Sequence, residues 1–130
     1  MPFTNTCTYS TTYNKVRYEW SDNQSAGERH DVSESIPDSS TDLSVNWTAD
    51  VSEIKSLLIV SDYAITVETN SGASPANTIT LVAGEPVIWT AGMPGAPACP
   101  LTTDVTGLFI TNASGSAALL TIKMIQDPTP

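Results

Sequence analysis

The sequence predicts an all-β protein, a β-sandwich of jelly-roll type with eight or nine antiparallel strands. Three observations carry that expectation. Short runs rich in Val, Ile, Thr and aromatic residues recur along the chain, and Gly, Pro, Asn, Asp and Ser fill the gaps between them. No apolar pattern of helical period is long enough to compete.

Residues 1–14 are polar, with Phe3, Tyr9 and Tyr13 set among Thr, Ser and Asn. They read as an N-terminal arm, extended or poorly ordered, ahead of a single sandwich domain over 15–130. In Lys15-Val16-Arg17-Tyr18-Glu19-Trp20 strict alternation puts Val16, Tyr18 and Trp20 on a dry face and the charges on a wet one. Residues 22–27 then read as a turn. Residues 28–36 form an edge strand, whose charges and following Pro37 deter pairing with foreign chains. Leu43, Val45 and Trp47 alternate as the next half-buried strand.

Asp50 caps a single helical turn over 50–55. Ser56-Leu57-Leu58-Ile59-Val60 has no alternation and is expected at the centre of a sheet, buried on both faces. Strands follow at 65–69, 78–82, 86–89, 108–111 and 119–125. Gly and Pro crowd residues 91–100 into a stiff, irregular loop, and 126–130 is a short tail. A faint echo links 50–67 with 104–122: a capped turn feeding a hairpin in each. Two such hairpins in opposed sheets suit a sandwich with pseudo-symmetric halves.

Bulk properties exclude several functions. The 130 residues suffice for one core. Five Lys and Arg beside fourteen carboxylates, net −9, cannot build a phosphate-neutralising patch, so nucleic acid is not an expected partner. The same charge disfavours anionic lipid. No run approaches the roughly 18 apolar residues of a membrane span, and residues 1–6 lack the basic start and apolar core of a secretion signal. Synthesis in a cytosol follows as an expectation. Cys7 and Cys99 can pair in principle, but a reducing compartment favours idle thiols.

No reactive constellation stands out. His30, the single imidazole, neighbours Asp31 and Ser33, but adjacent residues of a strand point to opposite faces and do not make a triad. It reads as an exposed edge histidine. The carboxylates are scattered, and no pair is nominated for glycoside hydrolysis. Asp38-Ser39-Ser40-Thr41-Asp42 resembles a loose calcium loop without the spacing or closing Glu of an EF-hand. No catalytic residue, metal site or cofactor is expected. Asn46-Trp47-Thr48 and Asn112-Ala113-Ser114 match the glycosylation triplet by chance in so Ser/Thr-rich a chain. Tyr9, Tyr13, Tyr18, Trp20 and Trp47 offer the alternative of sugar stacking, against the simpler expectation that Tyr18, Trp20 and Trp47 fill the core.

The runs Asp62-Tyr63-Ala64-Ile65-Thr66-Val67-Glu68-Thr69-Asn70-Ser71, Thr78-Ile79-Thr80-Leu81-Val82-Ala83-Gly84-Glu85-Pro86-Val87-Ile88-Trp89, Asp104-Val105-Thr106-Gly107-Leu108-Phe109-Ile110-Thr111-Asn112-Ala113 and the terminal Asp127-Pro128-Thr129-Pro130 carry a resemblance. Over residues 50–130 the chain resembles small virion structural proteins of tailed bacteriophages. The resemblance implies a non-enzymatic decoration or cement protein, made in the bacterial host and placed on the capsid surface. Its implied partners are the major capsid protein or other virion proteins, with a homo-oligomer, a trimer first, multiplying modest affinity per site. A carbohydrate-binding module attached to a virion is the alternative. The expected contact residues are Phe3, Tyr9 and Tyr13 in the arm and Met93, Pro94, Pro97 and Pro100 in the loop, apolar positions on segments not needed for the core.

Overall fold

The computed structural model describes residues 3–127, so part of the expected tail and of the terminal Asp127-Pro128-Thr129-Pro130 run lies outside the described residues. Among the described residues the fold is all-β, with eleven strands, against the eight or nine expected, and one short 3-10 turn. A two-stranded hairpin holds β1 (Phe3–Tyr13) and β2 (Val16–Ala26). One sandwich layer is β5 (Ser40–Val45), β10 (Leu108–Asn112), β7 (Ile65–Thr69) and β8 (Thr78–Leu81), in that spatial order. The other is β11 (Ala118–Gln126), β6 (Ile54–Ser61) and β9 (Val87–Thr90), with β3 (Glu28–Arg29) and β4 (Val32–Ile36) sharing the outer edge of β11. Every strand pairing among the described residues is antiparallel.

Alternation builds the core between the layers. On β11, Leu120, Ile122 and Met124 are fully buried, while Leu119 and Lys123 on the opposite face are exposed. Leu57 and Ile59 of β6, Val67 of β7 and Ile110 of β10 meet them as one apolar cluster. As expected, β6 lies inside its sheet, between β11 and β9. Its burial is not two-sided, however: Leu57 and Ile59 face the core, and Leu58 and Val60 are half-exposed. Trp47 is buried in the core just beyond the end of β5. Asp50 caps the 3-10 turn Val51–Glu53, its carboxylate accepting from the Ser52 amide and hydroxyl.

The internal echo has a different structural meaning from the one expected. Strands β6 and β7 are not a hairpin, and neither are β10 and β11; each pair crosses from one sheet to the other. The crossings then pair with each other, β6 with β11 and β7 with β10, and Ala49 and Val105 exchange both backbone hydrogen bonds ahead of them. Similar sequences thus occupy paired positions across the two layers.

The N-terminal region departs most from expectation. Residues 3–13 are a full strand, and residues 22–26, expected as a turn, continue β2. The pairing runs unbroken from Phe3 with Ala26 to Tyr13 with Val16. Asn14 and Lys15 close it with φ of 49° and 68°. Two left-handed residues in a two-residue loop give the type I′ turn, whose twist matches that of the strands. The expected boundary between arm and domain therefore falls inside this turn, and the arm includes β2. The expected dry face of residues 15–20 is corrected too: Val16 and Tyr18 are 52% and 57% exposed, because no second layer covers them.

Candidate docking surface

Cross-strand partners share a face, and that rule sorts the hairpin into two unlike surfaces. One carries Thr4, Thr6, Thr8, Ser10 and Thr12 of β1 opposite Arg17, Glu19, Ser21, Asn23 and Ser25 of β2. It is polar throughout, and its charges pair within the strand, Arg17 Nη2 lying 2.7 Å from Glu19 Oε1. The other carries Tyr9 opposite Trp20, Thr11 opposite Tyr18 and Tyr13 opposite Val16. Nothing charged interrupts it from Tyr9 to Trp20. Tyr9 is 60% and Tyr13 75% exposed, so the aromatic face is presented to solvent.

Toward its base the same face meets the sandwich. Asn5 donates to Ser56 Oγ at 3.4 Å, and Asp22 is the firmest link. Its carboxylate accepts from Gln24 Nε2 at 2.8 Å, from Thr90 Oγ1 at 2.7 Å and from the Gly92 amide at 3.1 Å. A Cβ on Gly92 would collide with that carboxylate and push it aside, so glycine lets Asp22 approach where the loop leaves β9. The hydrogen bonds from Gln24 and Thr90, with that of Gly92, hold the Asp22 carboxyl below its ordinary value despite partial desolvation.

A carboxylate with a depressed pKa contributes to arm docking above the ordinary Asp range and loses that contribution as pH falls through its lowered value. Proteolysis within β2 is therefore expected to accelerate in acid. Asp22→Asn, which cannot accept as a carboxylate does, should show the faster cleavage already at neutral pH. Equal cleavage of both proteins at neutral pH would contradict this role.

Between hairpin and sandwich lies an apolar groove of about 370 Å³, lined by Cys7, Thr8, Tyr9, Trp20, Ile88, Met93, Pro94 and Pro97. Its far wall is the loop after β9, held by the Trp89 indole donating to Pro97 O at 2.9 Å. Of the expected contact residues, Tyr9, Met93, Pro94 and Pro97 come together here. Tyr13 lies further along the same face at the hairpin tip. Phe3 sits at the opposite end of the hairpin with the Arg29 guanidinium 4.9 Å above its ring. Pro100 is half-buried and does not line the groove.

Val16, Tyr18, Trp20 and Ile88 belong to this surface without having been expected there. The signal was present in β1: every second residue from Thr4 to Thr12 is Thr or Ser, which marks one wet face and leaves the other to Tyr9 and Tyr13. Two equal runs around Asn14-Lys15 complete a hairpin pattern. Tyr18 and Trp20 do not fill the core; of the three aromatics expected inside, Trp47 alone does.

The remaining polar candidates have structural partners. His30 is half-buried rather than an exposed edge residue: Nδ1 lies 2.7 Å from Thr48 O and Nε2 3.1 Å from Glu28 Oε2. Asp31 pairs instead with Arg29 and Lys123. Asp38 accepts from the Gly115 amide, tying two turns together. Among the described residues no group of three or more His, Cys, Asp or Glu is arranged to hold a metal. Cys7 and Cys99 are free, and burial pushes the Cys99 thiol up, away from the reactive thiolate. Comparison with protein-family models, curated proteins and solved structures finds no match to this chain.

Proposed function

We propose that this protein is a non-enzymatic structural component of a tailed-phage virion, a decoration or cement protein that binds the major capsid protein lattice. It does so as a homo-oligomer, a trimer on a three-fold position of the capsid surface, after synthesis in the host cytoplasm. The carrying observation, which bears on assembly between copies, is the hairpin whose charge-free aromatic face runs into an apolar groove. Exposed aromatics on one ordered face suit a protein contact.

Other features support the same reading. Residues 50–130 resemble virion structural proteins. Net charge of −9 disfavours nucleic acid. Counted from β4, the sandwich strands lie first, eighth, third, sixth in one layer and second, seventh, fourth, fifth in the other. That order supports reading the fold as a jelly roll, wound as two Greek keys.

Electron microscopy of the particle encoded beside this gene should show the protein as regularly spaced density on the capsid. Particles complete without it would overturn the proposal. The outward-facing tyrosines favour one second reading, a glycan-binding module in which Tyr9, Tyr13 and Tyr18 stack on sugar rings. Saturable glycan binding, lost on replacing those tyrosines while the sheet is retained, would establish it instead.

A further inference from the structure

On that reading of the surface as a docking site, we infer that its occupant is a second copy of this chain. The aromatic face of one arm lies along the arm and groove of the next. Charge selects this occupant. Residues 8–21 hold Lys15, Arg17 and Glu19, a formal +1, whereas the rest of the chain holds three cations and thirteen carboxylates, a formal −10. Each tip is thus drawn to a neighbour's body, although the whole molecules carry the same sign. The face itself is uncharged from Tyr9 to Trp20, so the contact traps no unpaired charge.

Shape and area agree. One molecule carries both a ridge (Tyr13, Val16, Tyr18) and an apolar groove (Ile88, Met93, Pro97) on one continuous surface. With Tyr9, Tyr13 and Tyr18 60%, 75% and 57% exposed and Ile88 41% exposed, complete coverage removes roughly 600 Å² per copy, about 1,200 Å² in a reciprocal pair, the lower limit of a stable interface. The Thr and Ser face stays in water. A reciprocal pair uses this surface in one contact, and a closed three-copy ring divides it between two smaller ones.

Sedimentation velocity of the full chain over a wide range of loadings tests the inference, with two double variants at exposed positions. Tyr13→Ser with Tyr18→Ser removes the ridge, and Lys15→Glu with Arg17→Gln makes the tip acidic. The wild type is expected to sediment as an oligomer. The tyrosine variant, with unchanged circular dichroism, should dissociate at concentrations on the order of tenfold higher or more. The charge variant should weaken assembly at low salt and approach the wild type at high salt. A wild type that is monomeric at every loading overturns the inference, as does an oligomer that both variants leave intact. A monomer whose arm tyrosines bind glycan overturns it too. Capsid binding is scored separately: arm-dependent oligomers that ignore capsids refute the proposed function alone, and monomers that still coat capsids refute the copy-to-copy contact alone.

Discussion

Replacing Asn112 with alanine is expected to lower stability by about 3–5 kcal/mol, since a fully buried side chain loses all its hydrogen bonds together. Asn112 is fully buried at the end of β10. Its amide donates to Ile36 O at 3.0 Å, Pro37 O at 3.3 Å and Ser116 O at 2.8 Å, and its oxygen accepts from the Ser114 amide and hydroxyl. One side chain therefore clamps the β4–β5 turn to the β10–β11 turn. Alanine removes all five bonds at once, and the one to Ile36 O lies wholly out of water. Aspartate should be no better, because it offers no donors to three carbonyls and adds a buried charge. Urea denaturation with an unchanged slope and a shifted midpoint is the check. A loss under about 1 kcal/mol, the size of one ordinary hydrogen bond, would contradict the clamp. The burial agrees with reading this triplet as a chance match: Asn112 is no acceptor in the folded chain.

Ile122→Ala is the second large effect, expected at about 2–5 kcal/mol. Ile122 lies on β11, between β4 and β6, and its side chain is wholly enclosed in the cluster between the sheets. Truncation removes buried methyl groups and leaves a cavity that two paired strands hold open. Leu119, three residues earlier and 47% exposed on the opposite face, provides the contrast. Its replacement by alanine should change stability by about 0.5 kcal/mol or less. Similar losses for the two variants would mean that the faces of β11 are assigned wrongly. Ile125 lies on that outer face and is nonetheless fully buried, outside the inter-sheet cluster and where β1 and β2 approach β11.

How far the sequence could be read depends on what each strand packs against. The sandwich was legible because an inter-sheet core imposes period-two burial: Leu120, Ile122 and Met124, or Ile65, Val67 and Thr69, alternate as a covered sheet face must. The arm was misread for the same reason in reverse. Alternation of Val16, Tyr18 and Trp20 states that a strand has two unlike faces, not that the apolar one is covered. Local pattern also does not fix which strands pair, so the echo of 50–67 in 104–122 was visible while its sheet-crossing geometry was not. Four of the seven expected contact residues meet at the groove because hairpin register and the Pro-rich loop bring them there. Asp22 was invisible as an anchor, since its partners Thr90 and Gly92 are about seventy residues away along the chain.

The claim beneath all of this is that the aromatic side of the arm exists to be covered by protein. Hydroxyl-radical footprinting of the full-length chain, dilute and then concentrated, reads that coverage residue by residue. Tyr63 on the sandwich, 42% exposed, serves as the internal reference. The account predicts that oxidation of Tyr9, Tyr13 and Tyr18 falls as copies associate while that of Tyr63 holds steady. Four tyrosines that stay equally reactive at every concentration would contradict it.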